Sequence, residues 1–467
     1  MSHPNILLIT TDTQRCDTLN CMGYDFAISP HTDRLAAEGI MFTQGHTSSP
    51  VCGPTRSSLL TGLHTPVHGA IENGVSPRPN LITFSDRLKE AGYTNIMSGK
   101  THFGPLPDSF DIDFSTSGGK SGGTGDIYSQ HLIEHGYTRC DGHPNPIPED
   151  LFFDAFVTTK TIEGIEQARS QSDGPFFAFC SMVSPHGPLD PPGKWADLYT
   201  DDMLPPLPNN PDFDYEPAHA RRLLDFVDKK KATPEKIRQV QKLYYGLSSY
   251  CDHQVGRLMT YLDEKGLREN TLIIFLSDNG ASAEIMVRAD GHDPAAEAGS
   301  AATYLCLGPG WSTTCNTPFR RHKTWVHEGG CATPFIVHWP GGIPARSALR
   351  RTPAHVIDVA PTLLDLAGLT PQRRVPSPGR SLKGTFPSDG NPLHEELWWL
   401  HEGHRALRQG DWKLVAAKGD QWELFNLSED RTETRDLAGS HPEQVGAMEK
   451  RWNNLAESFQ ETLKDNR

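Results

Sequence analysis

Three short runs in this chain are wholly apolar: Ile6-Leu7-Leu8-Ile9, Phe176-Phe177-Ala178-Phe179-Cys180 and Leu272-Ile273-Ile274-Phe275-Leu276. A strand with one wet face alternates polar and apolar residues, so a strand without polar positions must be buried on both sides. Such strands belong in a largely parallel sheet with helices on both faces. The intervening segments supply the helices. His31–Glu38 ends at Gly39, and Thr83–Ala91 places Phe84, Leu88 and Ala91 on one side. Leu151–Ala168 follows, then a long helix opened by Thr233 and Pro234 and running to about Lys265. Its apolar stripe is Ile237, Val240, Leu243, Leu247, Val255, Leu258 and Leu262. Tyr93–Met97 and Pro334–Trp339 read as further strands, and Val359–Leu366 as a short helix.

The expected fold class is therefore α/β: a large mixed, mostly parallel sheet flanked by helices, over residues 1–380. Thr370–Arg380, dense in proline and arginine, reads as a linker. Beyond it Arg405–Arg408, Trp412–Ala416 and Trp422–Asn426 read as antiparallel strands, and Pro442–Leu463 as a closing helix. Residues 381–467 are thus expected to form a small α+β domain with an antiparallel sheet. Residues 105–150 and 187–230 are rich in glycine, proline and polar residues and read as surface excursions.

At 467 residues the chain exceeds one ordinary core. No apolar run is long enough to span a bilayer. The N-terminus enters the first strand without a basic and apolar leader, which reads as cytoplasmic, or as periplasmic or secreted if a signal has been removed. Nine cysteines without a C-x-x-C pair argue against a zinc cluster or disulfide framework. A net charge of −14 argues against nucleic acid as a partner. An anionic substrate would need locally concentrated cations.

The strand ends carry them. Asp12 follows the first apolar run, Lys100 and His102 follow the Tyr93 strand, His186 follows the Phe176 run, and Asp278-Asn279 follow the Leu272 run. Ligands of open α/β sheets bind at this edge. Cys52 heads a helix-forming stretch, Val51-Cys52-Gly53-Pro54-Thr55-Arg56, with Arg56 one turn on; Lys323 lies on a later loop. Taken singly, each residue has an ordinary role: a cap for Asp12, a satisfied ring for either histidine, a small buried hydrophobe for Cys52. Together they offer hard oxygen donors suited to Ca2+ or Mg2+, a cationic ring and a nucleophile position.

Cys52-x-Pro54-x-Arg56, followed by Leu60-Thr61-Gly62, resembles the signature of the type I, formylglycine-dependent sulfatases of the alkaline-phosphatase-like superfamily, arylsulfatase-like members among them. Asn5–Asp12 is similar to that family's first strand and first metal ligand. Gly99-Lys100-Thr101-His102-Phe103-Gly104, Ser184-Pro185-His186 and Thr271–Gly280 resemble its next motifs in order. Lys323 with Glu328-Gly329-Gly330 and Trp339-Pro340-Gly341, and Arg405–Leu414, resemble its later ones. The resemblance implies hydrolysis of a small-molecule or carbohydrate sulfate ester. It implies formylglycine made from Cys52 by a formylglycine-generating or anaerobic sulfatase-maturating enzyme. Its metal site would be Ca2+, with Mg2+ as alternative, on Asp12, Cys52, Asp278 and Asn279. Arg56, Lys100, His102, His186 and Lys323 would be catalytic.

The resemblance departs at one position. Asp12 is followed by Thr13 where many members carry a second acid or glutamine, so Thr13 offers a hydroxyl or leaves the corner to water. Three alternatives stand beside it: phosphonate monoester or phosphodiester hydrolysis on the same scaffold, an inactive sulfatase-like binding protein, and a thiol enzyme using unmodified Cys52. Residues 105–150, 187–230 and 281–322 are expected to select the substrate. His394, His401 and His404 read as surface residues near the domain junction, with a reach into the pocket as the other reading.

Overall fold

The computed structural model describes residues 3–116, 125–137, 146–205, 234–282, 318–344, 346–369, 378–390 and 392–465. Its strands are β1 Asn5–Thr11, β2 Ile40–Phe42, β3 Gly45–His46, β4 Thr94–Lys100, β5 Ile112–Thr116, β6 Phe176–Ser181, β7 Thr271–Ser277, β8 Phe335–His338, β9 Ala348–Arg350, β10 Ala354–His355, β11 Glu396–His401, β12 His404–Gln409, β13 Trp412–Ala416 and β14 Glu423–Asn426. The main sheet has eight strands in the order β5-β4-β6-β1-β7-β8-β2-β9. From β5 to β7 every neighbour is parallel; β8 is antiparallel to β7 and β2, and β9 pairs parallel with β2. The expected mixed, mostly parallel sheet is the one observed.

The apolar runs are buried on both faces, and their side chains divide strictly by parity. Leu7, Ile9, Ala178, Cys180, Ile273 and Phe275 pack with the helices Pro30–Glu38, Phe153–Gln171 and Pro234–Glu264. Ile6, Leu8, Phe177, Phe179, Ile274 and Leu276 pack on the other face with Cys52–Thr61, Phe84–Glu90 and Val359–Leu366. Each leucine, isoleucine and phenylalanine among them stabilises the sheet by about 1.5–3 kcal/mol. Burial on both sides also locks register, because a slip of one residue would exchange the two faces. Thr10 and Gly99 thus both stand opposite Ser181, and Thr11 opposite Ser277. Four strand ends are brought level.

Several expectations need correction. Residues 105–150 are not only an excursion: β5 adds an edge strand to the sheet, and Ile127–Glu134 is helical. The edge position leaves Asp113 exposed and Phe114 and Ser115 half-buried, so the apolar signature is lost. β4 runs to Lys100, three residues beyond the strand read from sequence. In the second sheet, order β11-β12-β13-β14, β11 was not anticipated. Thr233 and residues 117–124, 138–145, 206–232, 283–317 and 370–377 lie outside the described residues, and with them most of the expected substrate-selecting loops. No helix of the described residues is long and apolar enough to cross a membrane.

The antiparallel sheet packs one face on the Pro442–Asp465 helix through Trp398, Leu407, Leu414 and Met448. Its other face, with Trp399, Ala406, Val415 and Phe425, meets Val326 and Cys331. Trp399 Nε1 donates to the Thr47 carbonyl at 2.6 Å. Behind it lies a buried charge cluster: Lys413 Nζ is 2.9 Å from Glu328 and 2.8 Å from Glu433, and His46 Nε2 is 3.2 Å from Glu328.

Buried histidines also line this seam. The His64 ring lies 5.3 Å from Phe459 and 5.9 Å from Trp398, and those of His46 and His355 each lie 5.8 Å from Trp399. His68 Nε2 pairs with Ser58 Oγ at 2.9 Å. Burial pushes His64 and His68 down to about 3 and also lowers His46 and His355. The folded chain keeps these rings neutral, whereas unfolded histidine takes a proton near pH 6.5. For His64 and His68 the support this gives to folding is therefore full above pH 6.5 and is lost as pH falls toward 3, by up to about 1.4 kcal/mol per ring per pH unit. The thermal midpoint is expected to fall steadily when melts are taken from pH 7 to pH 5; a flat midpoint would contradict the burial argument.

Candidate active site

The four level strand ends and one helix start build the site. Asp12 leaves β1, Lys100 closes β4, Ser181 closes β6, and Asp278 and Asn279 leave β7. Cys52 opens the Cys52–Thr61 helix, with Val51 as an N-cap that offers no side-chain bond. Pro54 stands in the first turn, where a missing amide costs nothing. Gly53 is required for a different reason from the sharp turn its sequence suggests. It is helical, and a Cβ there would lie 2.8 Å from the His102 carbonyl and 3.0 Å from Asn73 Oδ1. Asn73 Oδ1 already accepts from Gly53 N at 2.9 Å.

Arg56 is fully buried and joins every strand end. Its Nε donates to Asp278 Oδ2 at 2.8 Å, Nη2 lies 3.6 Å from Asp12 Oδ2, and Nη1 donates to Ser181 Oγ at 2.5 Å and to the Lys100 carbonyl at 3.2 Å. Lys100 Nζ donates to Asp12 Oδ2 at 2.5 Å, and Cys52 Sγ lies 3.4 Å from Asp12 Oδ1. A second pair stands beside this group. Lys323 Nζ is 3.4 Å from His186 Nε2, while His186 Nδ1 donates to the Gly187 carbonyl at 2.7 Å. That bond leaves Nε2 as the acceptor in the neutral ring. One ligand atom each from Asp12, Cys52 and His186 lie within 4.8 Å of one another.

The predicted residues thus fall in one place. Asp12, Cys52, Arg56, Lys100 and Asp278 form a connected set, with His186 and Lys323 at its side. His102 is half-buried; its carbonyl packs on Gly53, and its Nδ1 has no hydrogen-bond partner among the described residues. Asn279 Nδ2 donates to Gly280 O, while its buried Oδ1 has no partner among the described residues. Asp278 faces Arg56 and the Thr13 amide, and a ring nitrogen of His186 lies within 4.8 Å of ligand atoms of Asp12 and Cys52.

Burial and charge oppose each other here. Burial works to raise the Asp12 carboxyl, but Lys100, His186, Arg56 and Lys323 outweigh it and hold Asp12 well below the usual carboxylate range. Asp278, raised by burial and by the Asp12 charge against the pull of Arg56, rises to about 6. Burial, then Asp12, pushes the Cys52 thiol up to about 12, so it carries its proton at neutral pH. The charge of Lys100, then burial, pushes His102 down to about 2; burial, reinforced by Lys323, takes His186 to about 3. Both rings are neutral.

The loops are strained where they turn. Thr13 has φ 61°, His102 55°, Arg321 69° and Thr324 85°. A left-handed residue with a Cβ costs about 1–2 kcal/mol, and a β-branched one is the least suited to it. Sequence reasoning missed Ser181, Ser277, Asn73 and Tyr244, which hold the site residues in place. Ser181 and Ser277 end apolar runs and were readable by position; Asn73 and Tyr244 carried no signal. Of the three histidines read as surface residues, two are buried and His394 is half-buried. His401 and His404 are buried, the His404 ring lies 4.2 Å from Trp325, and His394 pairs with Asp358 at 2.8 Å.

Residues 4–369 match the family model described as Sulfatase, and residues 320–461 match the one described as N-sulphoglucosamine sulphohydrolase, C-terminal. An arylsulfatase of Klebsiella aerogenes is 26% identical over 457 residues, covering 84% of this chain and 94% of that one. An N-acetylglucosamine-6-O-sulfatase of Bacteroides thetaiotaomicron is 23% identical over 545 residues, covering 99% and 87%. The crystal structure of a phosphonate monoester hydrolase of Agrobacterium radiobacter shares the fold with a TM-score of 0.77 at 19% identity, covering 98% of this chain and 96% of that one.

Removing Arg56 would strand two buried carboxylates. Arg56→Met is expected to lower the unfolding free energy by about 3–5 kcal/mol in guanidinium denaturation. An unchanged denaturation midpoint would show that the carboxylates do not depend on it.

Proposed function

The chain belongs to the sulfatase family, and we propose that it hydrolyses a sulfate monoester of a carbohydrate or aryl alcohol, with residue 52 as the nucleophile-bearing position. The observation that carries the reading is the setting of Cys52: fully buried, 3.4 Å from Asp12, beside Arg56 and Lys100. A thiol held protonated up to about 12 is a poor nucleophile, which disfavours a plain thiol enzyme. Conversion of that thiol to an aldehyde by a formylglycine-generating or anaerobic sulfatase-maturating enzyme would supply a hydrate whose hydroxyl attacks sulfur. The arylsulfatase and carbohydrate sulfatase names of the relatives support the substrate class.

The donor set fits a hard cation. Asp12, Asp278 and Asn279, with the oxygen of a converted residue 52, would hold Ca2+ or Mg2+; the Oδ1 of Asn279, without a partner among the described residues, is the ligand atom left open for it. Such a cation supplies neutralisation of the negative charge that builds on the sulfate oxygens.

The chain's own groups do the rest. Arg56 and Lys100 orient residue 52 and the sulfate and counter its charge. Lys323 is the charged proton source; His186, neutral and accepting from it, binds the sulfate and passes a proton to the departing alcohol oxygen. His102, held neutral, takes the proton of the remaining hydroxyl, so that the aldehyde re-forms and sulfate leaves.

With para-nitrophenyl sulfate, the native chain is expected to turn over and Cys52→Ala to fall to background. Intact mass of the Cys52 peptide is expected to show the loss of thiol to aldehyde. Equal rates in the two chains would end the proposal, and faster cleavage of an aryl phosphodiester or phosphonate ester would move it to that chemistry. Chelation by EDTA is expected to abolish turnover and lower the thermal midpoint, with both restored by Ca2+. Retention of both after chelation would exclude the hard-cation site.

A further inference from the structure

We propose that Tyr244 is a positioning residue. Its hydroxyl holds Thr13 in the left-handed conformation and so fixes the spacing of Asp12 from Asp278. Tyr244 lies on the Pro234–Glu264 helix and is buried. Its Oη donates to the Thr13 carbonyl at 2.6 Å and accepts from the Arg15 amide at 3.1 Å. The phenol is itself fixed. The Arg15 guanidinium lies 4.8 Å from the ring centre, and Arg15 is pinned by Asp17 at 2.6 Å and by the Tyr245 hydroxyl at 2.8 Å.

The other side of the turn is tied to β7. The Thr13 amide donates to Asp278 Oδ1 at 3.3 Å, and the Gln14 amide to Ser277 Oγ at 2.9 Å. Thr13, directly after Asp12, is therefore held on its carbonyl side by the helix and on its amide side by the residue that leaves β7. Thr13 does not favour φ 61° by itself, since its branched Cβ opposes that region. Without the hydroxyl, Thr13 relaxes toward the extended region. Its amide then leaves Asp278, and Asp12 moves with the preceding peptide. Glycine adopts the left-handed region freely, so at position 13 it would keep the turn without a clamp.

The inference rests on the sulfatase reading only for what the spacing serves, and the test separates the two. Four full-length chains are compared: the native chain, Tyr244→Phe, Thr13→Gly and the double variant. Hydrogen exchange of the amides of residues 13–15 needs neither metal nor substrate. Tyr244→Phe is expected to exchange about tenfold faster at residue 13, as local openings become easier, and the effect is expected to shrink below about threefold in the Thr13→Gly background. Turnover of para-nitrophenyl sulfate with Ca2+ is expected to follow, with the Tyr244→Phe loss falling on kcat and again being smaller when glycine stands at position 13. Unchanged exchange in Tyr244→Phe, or equal penalties with threonine and with glycine at position 13, overturns the proposal. A native chain that does not cleave the aryl sulfate counts against the aryl-ester reading of the proposed activity, while the exchange cycle still decides the positioning.

Discussion

One buried guanidinium holds this molecule's chemistry and its sheet together. Arg56 reaches carboxylates carried by β1 and β7, the hydroxyl of Ser181 on β6 and the carbonyl of Lys100 on β4. A charge with no exposure gains little net stability from its partners, because desolvation offsets most of the attraction. What the arrangement supplies is geometry. The guanidinium fork is planar and fixed, so the strands must end level for Nε and Nη1 to meet their acceptors while Nη2 faces Asp12. The parity of the apolar runs sets the register, and the register sets the site.

The central strands of the main sheet were legible because they are buried on both faces. β1, β6 and β7 carry no polar residue in their centres and were readable directly. The long helices were readable from their stripes. β5 was not, because an edge strand has one neighbour and Asp113 faces water. β2, β3, β9 and β10 were not, because two or three residues cannot show a period. β11 was missed although Leu397-Trp398-Trp399-Leu400 is an apolar run of the same kind, because its flanks, Glu395-Glu396 and His401-Glu402, read as a polar junction.

The site divides in the same way. Asp12, Lys100, His186 and Asp278 were found because strand ends in such sheets are where ligands bind. Asn73 and Tyr244 were not, because an amide in a loop and a tyrosine on an amphipathic helix look alike wherever they are. His401 and His404 were misread since polarity alone suggests exposure, whereas both are buried, His404 against Trp325. The whole-chain charge of −14 was a poor guide to the site, where Arg56, Lys100 and Lys323 face two carboxylates.

The strand order has a consequence in time. β1 is made first yet sits between β6 and β7, whose residues are synthesised more than a hundred positions later. Until Ser277 has emerged, the central strand lacks a neighbour and the floor under the Cys52 helix is missing. At about 5–20 residues per second, that interval lasts on the order of tens of seconds. Once the sheet closes, Cys52 has no exposed surface. Any protein that acts on the Cys52 side chain must therefore meet a growing or still open chain, and the late arrival of β7 sets how long that meeting can take.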